Sequence, residues 1–178
     1  MLANIEPAHN DFLALAGYLV HGRDRPTHPA RAAWTFGHNL PTDDPLLAAT
    51  LMGATAELSR RCRSACYHMS INWHPDEHPT PETMQEIARR TLDLAGLAEH
   101  QALVMGHGDK AHKHLHMMIN RVHPDTGRAW STSHDYRRLD RIMKLLSEEY
   151  GFRYVPPHSF APELTDELPK PMVRVKGT

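Results

Sequence analysis

Two segments of the chain set different residues on alternate positions, the first of them alternating cleanly between apolar and polar. In "CYHMSINW", Tyr67, Met69, Ile71 and Trp73 fall on one side, and His68, Ser70 and Asn72 fall on the other. In "HLHMMIN", Leu115, Met117 and Ile119 oppose His114, His116, Met118 and Asn120. A period of two is the pattern of a strand with different neighbours on its two faces. "QALVMGH" predicts another strand, ending on His107, and "GDKA" supplies turn residues for a hairpin between the two histidine-bearing strands. "MLANI" predicts a short first strand. Helical spacing governs four other segments. Phe12, Leu15, Ala16 and Leu19 share one stripe behind a cap at Asn10 or Asp11, with Tyr18 beside that stripe. Asp44 followed by Pro45 opens a second helix, and Thr80 followed by Pro81 opens a third that carries Met84, Ile87, Ala88 and Leu92 and stops near Gly96. The last helix lies within "STSHDYRRLDRIMKLLSEEYG", burying Leu139, Ile142, Met143, Leu146 and Tyr150 before Gly151. The stretch 23–44, carrying Pro26, Pro29 and Pro41, reads as a loop.

These elements predict an α+β fold, a two-layer sandwich whose largely antiparallel sheet is covered by helices on its apolar face. The other face is left for His68, Ser70, Asn72, His114 and His116. A length of 178 residues suits one domain with a sizeable core. That domain is expected over 1–155, followed by a proline-rich tail or linker over 156–178. No internal repeat is evident.

Composition narrows the setting. Hydrophobic residues make up 40% of the chain, and no window holds the ~20 apolar residues of a membrane span, so no membrane insertion is expected. The opening "MLANIEPAHNDF" lacks a basic segment followed by an apolar one, which predicts a cytoplasmic protein. Two cysteines, Cys62 and Cys66, make no disulfide framework and read as helix-end or core thiols. With a net charge of −1, any nucleic-acid contact must use a local basic surface. Arg137, Arg141 and Lys144 at i, i+4 and i+7 of the last helix form such a strip, or else an ordinary solvated face. Arg121, Arg128, Arg23 and Arg25 are further candidates.

"HGDKAHKHLH" gathers four histidines between His107 and His116, in a chain that has 15 in all. Abundance alone could scatter imidazoles over a surface. Alternation argues for more: His114 and His116 share a face, and a hairpin sets His107 opposite one of them. Three imidazoles from two adjacent strands form a metal site with open coordination positions, in which His112 is dispensable. Such ligands favour Mn, Co, Ni, Cu or Zn over Mg in affinity, although abundant Mg or Mn can serve in the cell. The ion would be a Lewis acid toward an anionic or carbonyl oxygen of a peptide, an ester or a phosphodiester. Neither HExxH nor GxxxxGK[ST] occurs, so the zinc-protease and nucleotide-hydrolysis motifs are absent.

"HGDKAHKHLHMMINRVHPDTGRAW" resembles the histidine motif of plasmid relaxases, the mobilisation nucleases of the HUH endonuclease superfamily. "YHMSINWHPDE" resembles the second motif of that family and "GYLVHGRDR" the first, so the likeness runs from about Leu2 to Tyr150. The resemblance implies a relaxase fold in which His107, His114 and His116 hold a divalent metal and Tyr18 is the nucleophile. It implies nicking of single-stranded DNA at an origin of transfer through a 5′-phosphotyrosine, at the start of plasmid mobilisation or conjugation. The implied partners are accessory relaxosome proteins and a coupling protein. Ser70, Asn72, Asn120 and Arg121 become candidate DNA contacts. Asn72 stands where the family often carries a serine, with Ser70 two residues earlier on the same face. Asp109 is either an orienter of a ligand histidine or an ordinary hairpin residue. A tyrosine that precedes the histidines separates this pattern from replication initiators, where it follows them. Such an initiator remains the close alternative, and a histidine-metal hydrolase or binding module without DNA activity the distant one.

Overall fold

The computed structural model describes residues 1–7, 11–22, 31–108 and 111–157. Its strands are β1 (Leu2–Ile5), β2 (Ala32–His38), β3 (Cys66–Asn72), β4 (Ala102–His107) and β5 (His114–Asn120). Its helices are α1 (Phe12–His21), α2 (Pro45–Ala56), α3 (Pro81–Leu94) and α4 (Asp135–Tyr150). The strands form one sheet in the order β1-β3-β5-β4-β2, with every neighbouring pair antiparallel.

Local chemistry sets most helix boundaries. Asp11 caps α1 by accepting from the Leu13 and Ala14 amides, and Asp44 and Thr80 cap α2 and α3 ahead of Pro45 and Pro81. Each cap satisfies amides that have no partner within the helix. Gly22 and Gly151 end α1 and α4 with φ of 75° and 72°, a backbone region that glycine enters without steric cost.

The α+β reading of an antiparallel sheet holds. α3 and α4 cover the face formed by Tyr67, Met69, Ile71, Trp73, Leu115, Met117 and Ile119, as the alternation predicts. The expected single helical layer needs an addition, because α1 and α2 pack on the opposite face. There Phe12, Leu15, Leu19 and Met52 meet Cys66, Leu103, Met105 and Met118. The histidine face is therefore apolar at one end of its strands and polar at the other. A second correction concerns the proline-flanked stretch read as a loop, which contains β2. Among the described residues this edge strand pairs with β4 alone, and an edge is where proline-bounded strands belong. Its Trp34 packs closely against β4: a Cβ on Gly106 would sit 2.0 Å from Trp34 Cε2, so only glycine fits beside His107. No described helix is long and apolar enough to cross a membrane.

Candidate active site

The β4–β5 hairpin assembles the histidines. His107 pairs with His114, and His116 follows two residues later on the same face of the central strand. One ligand nitrogen from each of the three lies within 4.8 Å of the others. Ring centroids stand 4.7 Å apart for His107–His116, 5.3 Å for His107–His114 and 5.5 Å for His114–His116. His107 and His114 are buried and His116 is half-buried, so the cluster opens on the His116 side. The β2 register shifts between Ala32 and Trp34, directly beside His107, and such bulges re-aim side chains near functional sites.

The fourth histidine of the run is not one of the three clustered residues, and its ring centroid stands 5.3 Å from that of His114. His112 contributes its carbonyl oxygen, 3.4 Å from His114 Nδ1. A carbonyl can only accept, so this long contact favours the proton on Nδ1 and a lone pair on Nε2 of His114. The donor set suits a divalent first-row ion: three neutral imidazoles, closely spaced, with coordination positions left over.

Beside the triad runs a chain of hydrogen bonds on β3. Asn72 Nδ2 donates to Ser70 Oγ at 3.2 Å, and Ser70 Oγ donates to Glu6 Oε1 at 2.7 Å. Register sets Ser70 opposite His116 and Asn72 opposite His114, so both candidate DNA contacts stand beside the histidine cluster. Two residues carrying clear structure here were not among the sequence candidates. Glu6 follows β1, and nothing in its local sequence announces a role. His68 was visible on the histidine face; its Nε2 lies 3.0 Å from His116 Nδ1, a contact legible only from register.

Tyr18 sits near the end of α1, half-buried against the smaller core on the histidine side of the sheet. The other four tyrosines lie elsewhere. Tyr67 is on the α4 side and donates to Asp135, and Tyr154 donates to Asp140. Burial, then the Asp135 carboxylate, pushes the Tyr67 phenol far up. The hydrogen bond to Asp140, then burial, raises Tyr154 to about 12. Tyr150, in the last turn of α4, is also raised, by burial and then by Glu86 and Glu149. Tyr136 is exposed on α4.

Several candidates are placed away from the triad. Asn120 is fully buried, donating to the Met52 carbonyl and accepting from the Val122 amide. Arg121 spends its guanidinium on the carbonyls of Trp130 and Ser64. Both pin the end of β5 to its surroundings. Arg137, Arg141 and Lys144 are exposed on α4, across the sheet from the histidines. The α4 carboxylates Asp135 and Asp140 are turned to Tyr67 and Tyr154. Arg137, Arg138 and Arg141 line an open hollow with Ser133, His134 and Ile142. Asp109, Arg23 and Arg25 lie outside the described residues. Cys66 is a core thiol, raised to about 12 chiefly by burial.

The family model described as "Relaxase: MobA/VirD2-like, nuclease domain" matches residues 22–152, a span that includes all three histidines and begins just after Tyr18. Protein MobA of Acidithiobacillus ferrooxidans is 36% identical over 75 residues, covering 42% of this chain and 18% of the relative. A Protein TraI of Escherichia coli is 26% identical over 143 residues, covering 80% of this chain and 19% of the relative. A second Protein TraI of Escherichia coli is 29% identical over 107 residues, covering 60% and 15%. The alignments thus span less than a fifth of each curated relative. With the histidine hairpin, the antiparallel sheet and a match over most of its length, the chain belongs to the MobA/VirD2-like relaxase nuclease-domain family.

Proposed function

We propose that this domain nicks single-stranded DNA by transesterification at an origin of transfer, with Tyr18 as nucleophile, and so begins plasmid mobilisation. The observation that carries the reading is a shared side: the three-imidazole cluster and the helix bearing Tyr18 lie on the same face of the sheet. Among the described tyrosines, the other four lie on the opposite face or beyond it, three of them with raised phenols. The family match, which begins after Tyr18, supports the nuclease and leaves the nucleophile to this geometric argument.

In the reaction a bond forms between Tyr18 Oη and phosphorus, and the bond from phosphorus to the 3′ oxygen breaks. The phenol gives up its proton and the departing 3′ oxygen takes one. One phosphoester replaces another, so rejoining needs no nucleotide cofactor. A divalent ion held by His107, His114 and His116 supplies Lewis acidity toward the phosphate oxygens. Magnesium or manganese serves this role in the cell, and zinc, cobalt and nickel suit the same nitrogens. Ser70 and Asn72, held in line by Glu6, present polar groups beside the cluster where the strand passes. Asp109 orients a ligand histidine in this reading. Arg137, Arg141 and Lys144 hold phosphates farther from the nick, across the sheet. The proposed partners are accessory relaxosome proteins and a coupling protein.

Covalent capture tests the proposal. Incubated with manganese and a labelled strand containing its cognate site, the protein should form a denaturation-resistant adduct that peptide mapping locates on Tyr18. Tyr18→Phe keeps the ring's packing and loses the attacking oxygen, so the adduct should disappear while DNA binding persists. DNA mapped to Tyr136 or Tyr150 would refute the assignment, and cleavage without an adduct would indicate hydrolysis.

A further inference from the structure

A neutral imidazole carries one proton and one lone pair, so it can bind an ion only through the nitrogen that lacks the proton. What fixes the tautomer of each ligand is therefore part of the site. His116 is the least enclosed of the three ligands, and its Nδ1 is 3.0 Å from Nε2 of His68. His68 is buried at 4% exposure. Its ring centroid stands 5.1 Å from that of His116, and its own carbonyl is tied by the Glu6 amide. It belongs to β3, the strand next to β5, where it pairs with Met118 and so lies diagonal to His116.

One proton bridges these two nitrogens. With that proton on His116 Nδ1, the Nε2 of His116 keeps its lone pair and can face an ion. With the proton on His68 Nε2, the His116 proton moves to Nε2 and blocks it. A carboxylate or carbonyl partner, the usual arrangement behind metal-bound histidines, would leave no choice because it can only accept. An imidazole partner leaves the choice to the pair.

We infer that His68 is a positioning residue: as the Nδ1–H tautomer it accepts the His116 Nδ1–H proton and thereby presents His116 Nε2 to the metal. The inference rests on the proposed metal role of His116. Its test separates the two, because the tautomer can be observed in the metal-free protein.

Long-range proton–nitrogen correlation spectra at alkaline pH, where both rings are neutral, report which nitrogen carries each proton. His116 in metal-free wild type should be protonated at Nδ1 and bare at Nε2, and His68→Phe should yield a mixture. Calorimetry with zinc should then show affinity weakened by about tenfold to a hundredfold in His68→Phe. His68→Gln, whose amide oxygen can accept the same proton, should stay within a few-fold of wild type. A wild-type His116 protonated at Nε2 overturns the inference, as does a folded His68→Phe that binds zinc as tightly as wild type. Wild type that binds no divalent ion would remove the metal reading, and the tautomer of the same metal-free sample would still decide the role of His68. That measurement needs no variant, so a His68→Phe that fails to fold does not shelter the idea.

Discussion

The two faces of the sheet divide the protein's tasks unequally. Under α3 and α4 the apolar side chains run without interruption from Trp73 through Met69 and Met117 to Ile119. On the other face the same strands change character along their length. Cys66, Leu103, Met105 and Met118 are apolar and meet α1 and α2, whereas Asn72, Ser70, His107, His114 and His116 are polar. Burying polar groups costs free energy unless they are paired, and a paired network specifies one arrangement. The continuous face carries stability, which lets half of the other face be polar, as the proposed chemistry requires. The apolar half of the divided face still has a function, since it is the seat for the helix that carries Tyr18.

Leu115 stands between His114 and His116 and points the opposite way, so substitutions along three consecutive residues of β5 expose the division. The largest effect is expected on the histidine side. The double variant His114→Ala/His116→Ala should lose metal-dependent cleavage by roughly a thousandfold, the equivalent of several kcal/mol of lost charge stabilisation. It should unfold thermally near the wild-type temperature in the absence of metal. A double variant that cleaves normally would break the comparison at once.

Leu115→Ala should do the reverse. The side chain is fully buried on the α3–α4 side, and its truncation should cost about 2–5 kcal/mol in denaturant melts. Zinc affinity of the folded fraction should change little.

A smaller effect is expected in alkali, and it belongs to the same face. Tyr67 and Tyr154 have phenols raised above the ordinary value, the latter to about 12, so the unfolded chain releases these protons first. Their contribution is complete below about pH 10, the unfolded value, and falls as pH rises through the folded values. Urea melts should therefore show stability declining above about pH 10. Tyr67→Phe/Tyr154→Phe should flatten that decline, and an equally steep decline in this variant would discard the explanation.

The smallest effect on stability is expected at α4, where Arg137→Ala/Arg141→Ala/Lys144→Ala should leave the melting temperature nearly unchanged. DNA affinity should depend less steeply on salt, by about 0.7 in log–log slope for each single-strand phosphate contact removed. An unchanged slope would take the outer face of α4 out of the DNA path.

Much of this arrangement was legible in the alternation of β3 and β5. That pattern separated Tyr67, Met69 and Ile71 from His68, Ser70 and Asn72, and the hairpin followed from "GDKA" between two strands. What it could not supply was information held in non-local pairing. β2 is an edge strand, recognisable only once β4 lies beside it. The stripe of α1 was readable, but not the face it covers, because Met118 and Cys66 look like ordinary strand residues until α1 docks on them. The hydrogen bonds of Asn120 and Arg121 to the Met52 and Ser64 carbonyls likewise join residues far apart in the chain, which no local pattern announces. His68 needed the register of β3 against β5 before its reach to His116 could be seen.

The placement of all three candidate ligands within one hairpin also has a consequence for the order in which the protein assembles. His107 and His114 are joined by residues 108–113, and closing so short a loop takes little conformational entropy. Hairpins of this kind form in about 1–10 μs, among the quicker events open to a chain. Tyr18 reaches the same face only after α1 docks on β4 and β5, strands that lie far along the chain from it. Contacts of such separation belong to the slow part of folding. During refolding, zinc capture should therefore come early, and competence to bond with DNA should come late.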